Sequence, residues 1–169
     1  MNRKKFLMGN WKMNNTIADS KEFFDQIQSS SLVRLARNKG IAIGVAPSYL
    51  PLRYFQKHAH GMIVAAQDAH YASHGAYTSS VSIPMLKEIE VDWSIIGHSE
   101  KRTYEGETSF LCNRKIKALV KENFHVVYCV GETAKEYDEG ITKDVIREQI
   151  VTGLMGLTKE DIQNVVIAY

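Results

Sequence analysis

The chain has almost no net charge of either sign. Its formal charge is +2 at pH 7 over 169 residues, too little to hold nucleic acid or an anionic lipid surface by charge alone. Arg3, Lys4 and Lys5 form a short basic cluster, and no long single-sign tract follows. There are two cysteines, Cys112 and Cys129, with neither a CxxC pair nor a zinc-type spacing. They read as reduced thiols of a reducing compartment. No apolar run approaches the ~20 residues that a membrane helix needs. The basic opening "MNRKKFLMGNWKMN" carries an apolar run of only Phe6–Met8, too short for a signal peptide. The expected location is therefore cytoplasmic. Neither GxGxxG nor GxxxxGK[ST] follows any apolar run, which counts against a nucleotide-binding open sheet.

Apolar residues make up 44% and charged residues 24% of the chain, a globular balance at a length that can bury one core. Short apolar runs recur at Phe6–Met8, Ile41–Ala46, Met62–Ala66, Trp93–Ile96, Val126–Val130 and Val165–Ala168. Most are rich in β-branched residues with little polar alternation, the pattern of strands buried on both faces of a parallel sheet. Helical segments are expected between them. Thr16 with Asp19 and Thr158 with Asp161 are candidate capping boxes. Ser48 and Pro51 suit the start of a helix. "SFLCNRKIKALVKEN" and "KDVIREQIVTGLMG" carry apolar residues near helical spacing. The rhythm repeats about every 30 residues, the length of a βαβ unit. A parallel sheet with helices outside follows, either open and doubly wound or closed as an eight-fold barrel.

In such folds reactive groups gather beyond the carboxyl ends of strands. Those exits carry "GNWKMN" with Asn10 and Lys12, "AAQDAH" with Gln67, "GHSEKR" with His98, and "CVGE" with Glu132. Taken singly, each has a plainer reading. Lys12 is a solvated lysine, His98 a hydrogen-bonded structural histidine, Glu100 and Arg102 ion partners, and Glu132 a capping or pairing group. His70 and His74 could share a helical face for a metal, but their loop is rich in Gly and Ser and has no third ligand nearby. Polar groups at several exits together are what a shared site requires.

The stretches "GNWKMN", "GAYTSSVS", "IIGHSEKRTYEGET", "VVYCVGE" and "VVIAY" resemble, in order and spacing, those of the triosephosphate isomerase family, from Phe6 to Tyr169. The resemblance implies an α/β fold of the (β/α)8 barrel class, here five βα units plus a sixth strand in one domain, residues 1–169. It implies a homodimer, a phosphorylated triose substrate, and interconversion of dihydroxyacetone phosphate with D-glyceraldehyde 3-phosphate. His98 would be the neutral hydrogen-bond donor to the carbonyl oxygens, which is the recorded arrangement of that family. Lys12 would supply positive charge for the anionic substrate, with Asn10 holding it. Ser99, Glu100 and Cys129 would support them, with Cys129 and Glu132 behind the reacting groups. No metal or organic cofactor is implied.

The family's general base is a glutamate that follows "AY", and here Ala168 and Tyr169 are the last residues. A whole barrel typically has ~250 residues. The chain by itself is therefore expected to be inactive. The alternative expectation is a non-catalytic partial barrel that associates with another chain, or with a complementary C-terminal fragment, through exposed apolar faces and the edges of its first and sixth strands. Within the matching stretches, Tyr77 stands where the family usually has Phe, Ser79 and Ser80 where it has Gly and Glu, Asp68 where it has Asn, and Lys101 where it often has Arg. Thr78 is kept and is the expected dimer contact. The lost glycine puts the loop's backbone angles, and so dimer geometry, in question.

Overall fold

The computed structural model describes residues 5–59 and 61–169, so Arg3 and Lys4 of the basic cluster lie outside the described residues. The elements run β1 (Lys5–Asn10), α1 (Ile17–Ser29), α2 (Leu32–Asn38), β2 (Ile41–Ala46), α3 (Tyr49–His58), β3 (Ile63–Ala66), α4 (Ile83–Glu88) and β4 (Trp93–Ile96). They continue with α5 (Ser99–Glu105), α6 (Ser109–Lys121), β5 (His125–Cys129), α7 (Ala134–Asp138), α8 (Thr142–Gly153), α9 (Lys159–Ile162) and β6 (Val165–Ala168). Every expected strand is present, and the class is α/β. The chain divides into two compact units. One holds the described residues up to Gln67 together with Leu86–Trp93, and the other holds Asp68–Met85 with Ser94–Tyr169.

In the first unit β1 and β2 are parallel, with Phe6 opposite Ala42 and Asn10 opposite Ala46. β2 and β3 are parallel, with Gly44 opposite Ile63. A Cβ on Gly44 would lie 2.9 Å from Met8 Cε and 3.2 Å from Ile63 O, so a larger residue here would have to displace Met8 and crowd β3. Helix α1 starts where the capping box was expected, with Asp19 N–H donating to Thr16 Oγ1 and Thr16 N–H donating to Asp19 Oδ2. Its Phe23 and Phe24 meet Phe55 of α3, and Trp11 sits edge-on to both Phe23 and Phe55 at 5.1 and 4.7 Å. This aromatic cluster anchors the turn after β1. Aromatic pairs of this kind add about 0.5–1.5 kcal/mol each beyond the area they bury.

In the second unit β4, β5 and β6 are successive neighbours. β5 and β6 are parallel, with Val126 opposite Val165 and Cys129 opposite Ala168. Val126, Val127 and Tyr128 are buried in succession, as the unbroken apolar run of β5 predicts. Cys112, Ile116, Leu119 and Val120 bury one face of α6. Thr108 caps that helix by accepting from Leu111 N–H. Thr158 and Asp161 form the second expected box. Thr133 and Glu136 form a third, not anticipated, that starts the short helix α7. The short helices α2, α5 and α7 lack an apolar periodicity long enough to be read in advance.

Beneath this unit lies a buried ion network. Lys115 is only 5% exposed. Its Nζ donates to Asp68 Oδ1 and Oδ2 at 2.7 and 2.8 Å and to Glu107 Oε1 at 2.5 Å. Lys101 reaches Asp68 Oδ2 at 3.3 Å and also pairs with Glu105. Burial disfavours the charge on Lys115, but the two carboxylates more than offset it, so its pKa lies above the usual lysine range. Removing one partner of a buried pair strands the others. Lys115→Met is therefore expected to lower unfolding free energy by about 3–5 kcal/mol, read by urea denaturation at pH 7. A loss below ~1 kcal/mol would contradict the arrangement.

Candidate functional site

The turn after β1 brings Asn10, Trp11 and Lys12 past the end of the strand. Trp11 N–H donates to Ala46 O at 3.0 Å, which extends the β1–β2 ladder by one rung. Lys12 then takes a φ of +53°, a left-handed angle that costs a non-glycine residue ~1–2 kcal/mol. Both of its backbone polar groups are held. Its N–H donates to Asn10 Oδ1 at 2.9 Å, and its carbonyl accepts from Gln67 Nε2 at 2.8 Å. Gln67 Nε2 also donates to Ala46 O at 3.0 Å. Asn10 and Gln67 thus over-determine a strained turn, while the lysine is exposed. Gln67 was noted in the sequence only as a polar strand exit, and its role as a clamp is visible only in three dimensions.

The turn after β4 is built on Gly97, whose φ is +76°. Its N–H donates to Glu107 Oε2 at 3.1 Å and its carbonyl accepts from Arg102 Nε at 2.9 Å. His98 follows as the N-cap of α5, and its Nδ1 accepts from Glu100 N–H at 3.3 Å. A ring nitrogen that accepts carries no proton, so this bond assigns the hydrogen of the neutral ring to Nε2. Glu100 Oε2 lies 3.4 Å from the same Nδ1. The backbone contact is the better guide, because first-turn N–H groups have no partner within the helix. Ser99 is exposed at the start of α5.

Gly97, His98, Ser99 and Arg102 line a pocket of about 270 Å³ with the exits of β5 and β6, including Cys129, Glu132 and Tyr169. This is the carboxyl-terminal end of the strands, where the chemistry of such folds is found. Burial pushes the Cys129 thiol up to about 11, against the opposing pull of Arg102. It stays protonated near neutral pH and is no nucleophile. Glu132 Oε1 accepts from Tyr169 OH at 3.0 Å and Thr142 Oγ1 at 3.2 Å. Its own backbone N–H, then these hydroxyls, hold the carboxyl below the usual glutamate range against the effect of burial. Its Oε2 is buried without a partner among the described residues.

Two other motifs resolve plainly. His70 lies in a loop rather than on a helix, packed against Tyr71 and Tyr77 at 4.2 and 4.0 Å, and its Nδ1 accepts from Ala72 N–H. His74 Nδ1 lies 2.9 Å from the hydroxyl of its neighbour Ser73. Thr78 is exposed beside Ser79, which takes a φ of +71°. The serine keeps a left-handed angle at the position where glycine was expected.

A Cβ on Gly97 would meet Arg102 Nη2 and Cys129 O at 2.9 Å and Tyr128 Cε2 at 3.0 Å. With the left-handed angle added, Gly97→Ala is expected to cost about 2–4 kcal/mol in a denaturant titration. A cost below ~0.5 kcal/mol would show that the turn is not constrained in this way.

Comparison with known proteins adds an independent line. The profile of the family described as triosephosphate isomerase matches residues 5–169. The chain is 42% identical over 170 residues to a triosephosphate isomerase of Chlorobium chlorochromatii, a match that covers 99% of this chain and 65% of that protein. It is 40% identical to one of Carboxydothermus hydrogenoformans and 37% identical to one of Clostridium perfringens, each match covering 99% of this chain and 66% of the relative. The chain thus spans about two thirds of the length of the curated relatives it matches. With the strand order, the capped histidine at the exit of β4 and the clamped lysine turn after β1, this match places the chain in the triosephosphate isomerase family.

Proposed function

We propose that this chain carries the histidine–lysine half of a site that interconverts dihydroxyacetone phosphate and D-glyceraldehyde 3-phosphate. The observation that carries the reading is the cap at His98. With Nδ1 accepting from Glu100 N–H, Nε2 is the ring nitrogen left to carry the donor proton, on a residue that lines the pocket. Proton transfer between adjacent carbons passes through an enediolate, and a preorganised donor stabilises its oxygen as charge develops. Lys12 supplies fixed positive charge for the anionic end of the substrate, with Asn10 and Gln67 holding its backbone. Glu100 supports His98 through its N–H, Ser99 flanks it, and Cys129 contributes a protonated, packed thiol. Thr78 in its exposed loop is the proposed dimer contact. A cytoplasmic homodimer belongs to the same proposal, as does the reading of residues 1–169 as one domain. The chemistry calls for neither metal nor organic cofactor.

Glu132 lines the pocket, yet a carboxylate held below its usual range is a poor acceptor for a carbon-bound proton. The 169-residue chain alone is therefore expected to show no turnover above background in a coupled isomerase assay. Wherever isomerase turnover is measurable, His98→Gln is expected to lower kcat by about 100-fold to 1,000-fold, the scale of one lost oxyanion donor. Lys12→Met should act on KM as well as kcat. Turnover by the 169-residue chain that His98→Ala abolishes would overturn the first expectation, and a loss below tenfold in His98→Gln would overturn the second.

A second reading is favoured by one feature. An apolar groove of about 570 Å³ runs along α8, lined by Ile146, Ile150 and Val151 beside Lys143 and Arg147, with Tyr169 at its margin. Such a face suits a non-catalytic module that associates with another chain or with a complementary C-terminal fragment. Binding of an apolar dye together with self-association in sedimentation is the expected outcome on that reading. A monodisperse, non-binding monomer would exclude it.

A further inference from the structure

We infer that Arg102 is the positioning residue that sets the aim of the His98 ring. The inference rests on the reading of His98 as a hydrogen-bond donor. Arg102 sits one helical turn after His98 and touches the Gly97–His98 segment twice. Its Nε donates to Gly97 O at 2.9 Å, and its backbone N–H donates to His98 O at 3.1 Å. The far end of the guanidinium is anchored elsewhere. Nη2 donates to Tyr128 OH at 3.2 Å and to Cys129 O at 3.3 Å, and Nη1 donates to Ser109 Oγ at 3.3 Å.

These anchors are themselves held. Tyr128 OH donates to Gln149 O at 2.6 Å, and Ser109 Oγ donates to Glu148 Oε2 at 3.1 Å. A guanidinium is a rigid plane, so fixing both Nη atoms fixes the direction of Nε. The peptide unit joining Gly97 to His98 is thereby oriented from β5 and α6, on the side opposite the hold of Glu107 on Gly97 N–H. All four side-chain hydrogen bonds end on neutral oxygens, so the side chain acts through its geometry rather than as one half of an ion pair. Gly97 is required for the same reason, since a Cβ there would occupy the space of Nη2. A lysine would keep the charge and lose the plane.

The test reads the ring rather than turnover. In the chain labelled with ¹⁵N-histidine, long-range ¹H–¹⁵N correlation reports the tautomer of His98, assigned by its loss in His98→Gln. The wild-type ring is expected to show an accepting Nδ1 and a protonated Nε2. In Arg102→Met the two nitrogen shifts are expected to converge by at least half of their separation, as the ring samples both tautomers. Arg102→Lys should converge to a smaller extent. A folded Arg102→Met protein whose His98 keeps the wild-type pair of shifts overturns the inference, since a merely structural arginine would change stability and leave the tautomer alone. Should Arg102→Met fail to fold, Tyr128→Phe combined with Ser109→Ala keeps the arginine and removes two of its anchors. Partial convergence there supports the inference, and an unchanged His98 overturns it. A wild-type ring protonated on Nδ1 would instead contradict the donor reading of His98 itself, a result distinct from any effect of Arg102.

Discussion

One buried ammonium, on Lys115, ties the second unit to its candidate site. Its donors satisfy Asp68 in the loop after β3 and Glu107 ahead of α6. Glu107 in turn receives the N–H of Gly97, and the next residue is His98. Without that cation, two carboxylates would face each other in a poorly solvated space, and the turn after β4 would lose the acceptor that holds its first peptide. Asp68 stands where the sequence resemblance led us to expect asparagine. Its full charge is matched by two lysines, Lys115 and Lys101. The charge of Asp68 is thus met locally by two cations.

The two candidate turns are solved by different means with a common logic. Each leaves its strand with a left-handed residue, Lys12 after β1 and Gly97 after β4. Each has its backbone donor and acceptor both engaged by side chains, Asn10 and Gln67 in one case, Glu107 and Arg102 in the other. A strained or crowded turn persists only when its surroundings over-determine it. Rigid backbone at a strand exit is what lets a single imidazole N–H be aimed within hydrogen-bonding tolerance.

Much of this was legible from residue order. The strands announced themselves because apolar runs with little polar alternation, such as "VVYCV", fit strands buried on both faces of a parallel sheet. The boxes at Thr16–Asp19 and Thr158–Asp161 were visible because capping is local chemistry across four residues. His98, Lys12 and Asn10 were reached through the resemblance of "IIGHSEKR" and "GNWKMN", since singly each has a blander reading. Arg102 shows the opposite limit. In sequence it was an ion partner, whereas among the described residues its side-chain hydrogen bonds end on neutral oxygens, drawn from residues 5, 7, 26 and 27 positions away.

What the sequence determined by itself is the order of the strands and of the longer helices between them, the family, and which residues stand at the strand exits. Those follow from periodicity, capping and motif spacing, which act over a few residues at a time. Tertiary structure decided which backbone group reaches Nδ1 of His98, that burial raises the Cys129 thiol pKa, and that Glu132 is already engaged by Tyr169 and Thr142. Protonation and hydrogen-bond direction depend on partners brought close by folding from distant positions, and on how much water remains between them.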